Sequence, residues 1–216
     1  MKRRNFSLAA ATALTTSALT GAPAFAQGFQ PREGKDYLTL GKRVPVDTSS
    51  GTVEVIEFFW YSCPHCNAFE PTIEAWIKSA PRHVVPKRVP VAFRDDFVPQ
   101  QKLFYTLEAM GKLDALHGKV FYAIHVEKQS INRDNTILEW AGKQGLDKAK
   151  FEEIYKSFAV ASKVRRASQL QDAFKVEGVP SLGIAGRYYT DGSLAGSMER
   201  ALAVAEYLVE ATRKGA

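Results

Sequence analysis

The chain has 216 residues, 45% of them hydrophobic, and its 29 basic and 23 acidic side chains give a formal charge of +6. That length can bury a core without covalent staples, and that apolar content excludes a disordered chain. Three basic and no acidic residues fall in positions 1–26, so the remainder carries only +3, which gives no ground for a nucleic-acid partner.

Met1–Asn5 is a basic leader, Phe6–Leu19 a mildly apolar core, and Ala24-Phe25-Ala26 a small-x-small cleavage site, the pattern of a secretory signal peptide. The core is too short, and too rich in Thr and Ala, to serve comfortably as a membrane anchor. Cleavage after Ala26 leaves a mature chain beginning at Gln27 in an oxidising, extracytoplasmic space where disulfides persist.

Residues 37–46 suggest a first strand, followed by a turn at Thr48-Ser49-Ser50-Gly51. The apolar run from Val53 to Trp60 predicts a buried strand. It leads into Cys63-Pro64-His65-Cys66, which holds the only two cysteines of the chain. Pro64 suits the first turn of a helix, which should run to about Ser79 with Cys66, Phe69, Ile73, Trp76 and Ile77 on one face. Pro71 removes one hydrogen bond from that helix, and a kink is expected there. Residues 84–93 end in another strand, whose Pro86 and Pro90 argue for an edge position.

From about Pro99 to Val176 the pattern turns helical. Gln100–Met110 stops at Gly111, Leu113–Glu127 follows, and Asn135–Gln144 stops at Gly145. Asp147 can cap a helix reaching about Phe158, and a last one runs from about Val160 to Val176. The β signal returns at Pro180–Ile184, a tight Ala185-Gly186 turn and Arg187–Thr190. An amphipathic helix from Met198 to about Arg213 closes the chain. The predicted fold is α/β, with a helical segment (99–176) inserted between a βαβ half (27–98) and a ββα half (177–216).

A strand that delivers C-x-x-C to a helix N-terminus is the redox arrangement of the thioredoxin fold. Four free N–H groups and the positive end of the helix dipole stabilise a thiolate there. Cys63, the more N-terminal sulfur, is the candidate attacking thiolate. Cys66, one turn further in, is the candidate resolving thiol that releases a mixed disulfide. A structural bridge across so short a loop would contribute little, and a zinc site lacks its second pair of ligands. His65, as a cation or aligned dipole, favours ionised Cys63, each pKa unit being worth about 1.36 kcal/mol; the plainer reading makes it a bystander in the turn.

Glu57 is an ionisable residue in an apolar strand. It is either a proton acceptor and donor near Cys66 or a residue at a sheet surface. Gly178-Val179-Pro180 is either a plain loop or a cis-proline turn that presents the Val179 backbone to an extended substrate. Trp60, Tyr61 and Phe93 read as packing or groove surface. His83, His117 and His125 are given no role, the last two falling on predicted helix surfaces. Lys163-Val-Arg-Arg166 reads as a solvated helix face.

Phe58-Phe59-x-x-x-Cys63-Pro64-His65-Cys66, the Glu six residues before the first cysteine, the helical stretch and Gly178-Val179-Pro180 resemble the DsbA family of periplasmic thiol:disulfide oxidoreductases, over essentially all of the chain after residue 26. The resemblance implies a thioredoxin-like fold with an inserted helical domain. It implies a disulfide Cys63–Cys66 donated to unfolded exported polypeptides, with Cys63 as nucleophile, Cys66 as resolving thiol, His65 as thiolate stabiliser and Glu57 as buried acid. Val179 and Pro180 would form the cis-proline loop. No cofactor beyond the cysteine pair is implied, and the reoxidant would be a DsbB-like, quinone-linked membrane protein. A monomer is expected. The family often pairs the acid with a lysine. Here Arg88 matches that position with Lys87 beside it, which leaves the partner of Glu57 open. The alternatives are an isomerase or reductase, which fits the Pro-His dipeptide less well, and a non-catalytic peptide- or zinc-binding module.

Overall fold

The computed structural model describes residues 29–215; the expected signal peptide lies outside the described residues. From Pro31 onward the chain forms one compact unit.

Its centre is β2 (Val53–Phe59), buried at all seven positions, which suits its apolar residues and leaves Glu54 and Glu57 as buried acids. β2 pairs in parallel with β3 (Val84–Pro90) and antiparallel with β4 (Ser181–Ile184). β4 continues to β5 (Tyr188–Asp191) and β5 to β1 (Leu38–Thr39), giving the order β1-β5-β4-β2-β3. β3 thus lies at an edge, where Pro86 and Pro90 leave no ladder position unfilled. Strand alternation divides the core. Val53 and Val55 pack with Phe69 and Ile73 of α1 (Pro64–Ser79) and with α8 (Met198–Lys214). Ile56 and Phe58 face the helices on the other side.

Those helices follow β3. A 3₁₀ turn at Asp95–Phe97 leads into α2 (Val98–Ala109), α3 (Leu113–His125), α4 (Asp134–Lys143), α5 (Lys148–Tyr155) and α6 (Phe158–Ala173). Leu103, Phe104, Val120, Phe121, Trp140 and Phe151 form their shared buried surface. Asp147 caps α5 by accepting from Lys150 N–H at 3.0 Å. The α5/α6 boundary differs from the sequence reading: Ser157 accepts from Val160 N–H at 3.2 Å and starts α6 at Phe158. A hydroxyl at that position is a start signal that outweighs the continuing apolar pattern.

The expected first strand, residues 37–46, is cut to Leu38–Thr39. Its partner β5 runs out at the hairpin. Leu40 N–H and Val44 N–H therefore bond to the hairpin carbonyls of Arg187 and Gly186, at 2.8 and 2.7 Å, instead of to a ladder. The Ala185-Gly186 turn has φ of 55° and 62° at its two central residues, the primed type that matches strand twist. Gly186 has a second reason to lack a side chain, since a Cβ would fall 2.0 Å from Val44 O. A short helix the sequence did not announce, α7 (Gly192–Ala195), is capped by Asp191, which accepts from Leu194 N–H at 2.8 Å.

Candidate active site

β2 ends at Phe59, the chain turns through Trp60-Tyr61-Ser62, and Cys63 becomes the N-cap of α1. Pro64 occupies the first turn of that helix, where its missing N–H costs nothing. Cys63 Sγ accepts from the Cys66 N–H at 3.3 Å and lies 3.4 Å from Val179 O. Both thiols are free. Pro64 and His65 are exposed, Cys63 is 7% exposed, and Cys66 is fully buried.

The two sulfurs diverge in acidity. A hydrogen bond from the Cys66 thiol, opposed by burial and helped by the backbone N–H groups of Cys66 and His65 and by the His65 charge, lowers Cys63 from 9.0 to about 6. Burial first, then the neighbouring Cys63 sulfur, pushes the Cys66 thiol strongly upward. The pair therefore keeps one ready thiolate at the rim and one protonated thiol inside. The His65 ring contributes less than the hydrogen bonds that the helix N-terminus and Cys66 supply.

Val179–Pro180 is a cis peptide bond. It stands where β4 begins, so the Val179 carbonyl faces Cys63 across 116 residues of sequence.

Glu57 is 2% exposed, so the reading of a sheet-surface residue fails. It is held by Arg88, its neighbour in the β2–β3 register, whose Nε donates to Glu57 Oε2 at 3.1 Å. Adjacent strand residues point to opposite faces, which settles the open question of its partner: Lys87 turns the other way, to Glu54 and Asp47. Arg88 also donates to Glu70 at 2.9 Å and Glu74 at 3.0 Å. Burial outweighs Arg88, and with Glu70 and Glu74 adding negative charge, Glu57 is pushed up to about 8. At neutral pH its carboxyl retains a proton; only where it ionises does its charge raise the Cys66 thiol further.

His117, expected on a helix surface, is 3% exposed. Its Nδ1 lies 2.8 Å from Tyr61 Oη and its Nε2 3.4 Å from Glu70 Oε2. Burial lowers its pKa, so the ring is neutral. His125, also expected on a surface, places Nε2 2.8 Å from the Tyr61 carbonyl. Tyr61 is fully buried, while Trp60 stacks on Phe97 at 3.8 Å and Phe93 stays 40% exposed beside it. The sequence reading missed Glu70, Glu74, His117, His125 and Gln100. The spacing His117, Phe121, His125 is a visible four-residue stripe, but the more apolar row of Leu116, Val120 and Ala123 beside it on the same buried side of α3 masks it. Among the described residues no group of three or more His, Cys, Asp or Glu could hold a metal ion.

The sequence matches the DSBA-like thioredoxin domain family over residues 85–203. The thiol:disulfide interchange protein DsbA of Bordetella parapertussis is 43% identical over 202 residues, covering 93% of this chain and 96% of that protein. The Pseudomonas aeruginosa DsbA is 39% identical over 191 residues, covering 88% and 90%. Its crystal structure superposes with a TM-score of 0.80 over 84% of this chain and 94% of that one. Sheet order, thiol pair and likeness over nearly the whole length agree: this chain belongs to the DsbA family and is a thiol:disulfide oxidoreductase of the thioredoxin-like fold.

Proposed function

We propose that this protein is a protein-disulfide oxidase of the periplasm, with Cys63 as the exchanging sulfur. The observation that carries this reading is the N-cap position of Cys63, with the Cys66 N–H at 3.3 Å and Val179 O at 3.4 Å. In the oxidised form a substrate thiolate attacks Cys63 Sγ. The Cys63–Cys66 bond breaks and its electron pair leaves on Cys66, which the acidic proton of Glu57 neutralises. A second substrate thiolate then attacks the substrate sulfur of the mixed disulfide and releases Cys63 as a thiolate. The substrate is oxidised to a disulfide and the chain is reduced to the dithiol. His65 and the helix N-terminus favour that leaving thiolate, which makes the disulfide a strong oxidant. Val179 offers its backbone to an extended substrate as an added strand.

The substrates are unfolded exported polypeptides, and the reoxidant is a quinone-linked membrane protein of DsbB type. The periplasmic assignment rests on the signal-like segment before Gln27. The helices between β3 and β4 act as an inserted domain, residues 99–176, on a thioredoxin-like domain of residues 27–98 and 177–216. A Cys66→Ser variant should accumulate a mixed disulfide with substrate through Cys63, detectable as a reductant-sensitive adduct. Trapping through Cys66 in a Cys63→Ser variant instead would reverse the assignment.

A further inference from the structure

The sheet delivers the cysteine motif, but helices hold it. Cys63 N–H donates to the Trp60 carbonyl at 3.0 Å, closing a four-residue turn whose central residues are Tyr61 and Ser62. Each of these two is tied to a helix. The Tyr61 hydroxyl bonds His117 Nδ1 at 2.8 Å. Burial holds the Tyr61 phenol far above its ordinary pKa, so Tyr61 donates, and the remaining imidazole proton sits on Nε2, facing the Glu70 carboxylate at 3.4 Å. The Tyr61 carbonyl can only accept, so His125 Nε2 donates to it at 2.8 Å. Between the two histidines, the Phe121 ring meets the Tyr61 ring nearly edge-on at 5.1 Å. Ser62 Oγ accepts from Gln100 Nε2 at 2.8 Å, and the same amide donates to Ile131 O at 2.7 Å. His117, Phe121 and His125 recur at every fourth position, so a single face of α3 grips both ends of one residue.

We infer that this clamp, formed by His117, Phe121 and His125 of α3 with Gln100 of α2, sets the redox balance of the cysteine pair by fixing the turn that presents Cys63. His125 and Gln100 are then positioning residues for disulfide exchange. The inference rests on Cys63 being the attacking thiolate.

The two redox forms depend on the clamp unequally. In the disulfide form Cys63 is bonded to Cys66, and the turn is restrained whether or not the helices hold it. In the dithiol form only non-covalent contacts keep Sγ near the Cys66 N–H and Val179 O. A tight turn therefore favours the dithiol, and a loosened one makes the disulfide a weaker oxidant.

The test compares His125→Leu, which removes the donor and keeps the bulk, with His125→Gln, whose amide places an N–H close to the position of Nε2. Each full chain is equilibrated with glutathione, its thiolate is titrated by ultraviolet absorbance, and both redox forms are melted. His125→Leu should lower the equilibrium constant for oxidising glutathione about fivefold, the effect of roughly one hydrogen bond. Its Cys63 titration should move up, its reduced form should lose more thermal stability than its oxidised form, and His125→Gln should return the constant to near the wild-type value. Should His125→Leu not fold, Gln100→Met, which frees Ser62, is read in the same way. Equal stability losses in both redox forms, with potential and titration unchanged, would overturn the inference and leave a purely structural contact. A wild-type Cys63 that titrates like an ordinary free thiol would instead refute its role as nucleophile, and the inference with it.

Discussion

Glu57 and Arg88 face each other by strand register, and their neighbours decide what that pairing can do. One guanidinium is shared by three carboxylates, and burial leaves Glu57 protonated up to about pH 8. A group whose folded pKa is raised contributes stability below its unfolded pKa, and that contribution is lost as pH rises through the folded value. Glu57→Gln keeps an acceptor for Arg88 and removes the titration. The variant should therefore gain stability over wild type as pH rises from about 5 to 8, by on the order of a few kcal/mol. A difference that stays flat across that range in paired thermal melts would show that Glu57 is ionised throughout. His65→Ala should raise the Cys63 pKa by up to about one unit, or ~1.4 kcal/mol, because the helix N-terminus and the Cys66 thiol remain. An unchanged thiolate titration would remove His65 from the chemistry.

At the scale of elements, what was legible followed from periodicity. β2, α1 and α8 carry strong apolar patterns, and the structure places them within a residue or two of the sequence reading. The extent of β1 was not legible, because a strand exists only as far as its partner does, and β5 ends beside it at the hairpin. The cysteine motif, Glu57 and the Val179–Pro180 segment stood out because each breaks its local pattern. The inward turn of His117 did not, because it lies beside the more apolar row of Leu116, Val120 and Ala123 on the same buried side of α3. β4 shows a further constraint that periodicity hides. Gly183 lies under Phe174, where a Cβ would come within 2.5 Å of the ring, and that ring packs on Phe58 at 5.3 Å. Gly183→Ala should cost about 1–3 kcal/mol in chemical denaturation, and Phe174→Leu should relieve part of that loss. Wild-type stability in the single variant would mean that Phe174 moves freely.

For the whole molecule, redox state and folding are linked through Cys63. Its folded pKa of about 6 lies below the ordinary thiol value of 9.0. The reduced fold therefore gains stability that is fully present above the unfolded pKa and is lost as pH falls through about 6. The oxidised form has no such thiolate, and groups that titrate alike in both forms cancel in the comparison. The deciding measurement is the thermal and denaturant stability of reduced and oxidised protein across about pH 6 to 8. The reduced form should be the more stable at pH 8, and its advantage should grow by about 1.4 kcal/mol per pH unit over that range. An oxidised form that is more stable throughout, by a margin independent of pH, would mark Cys63–Cys66 as a structural bridge and contradict the account.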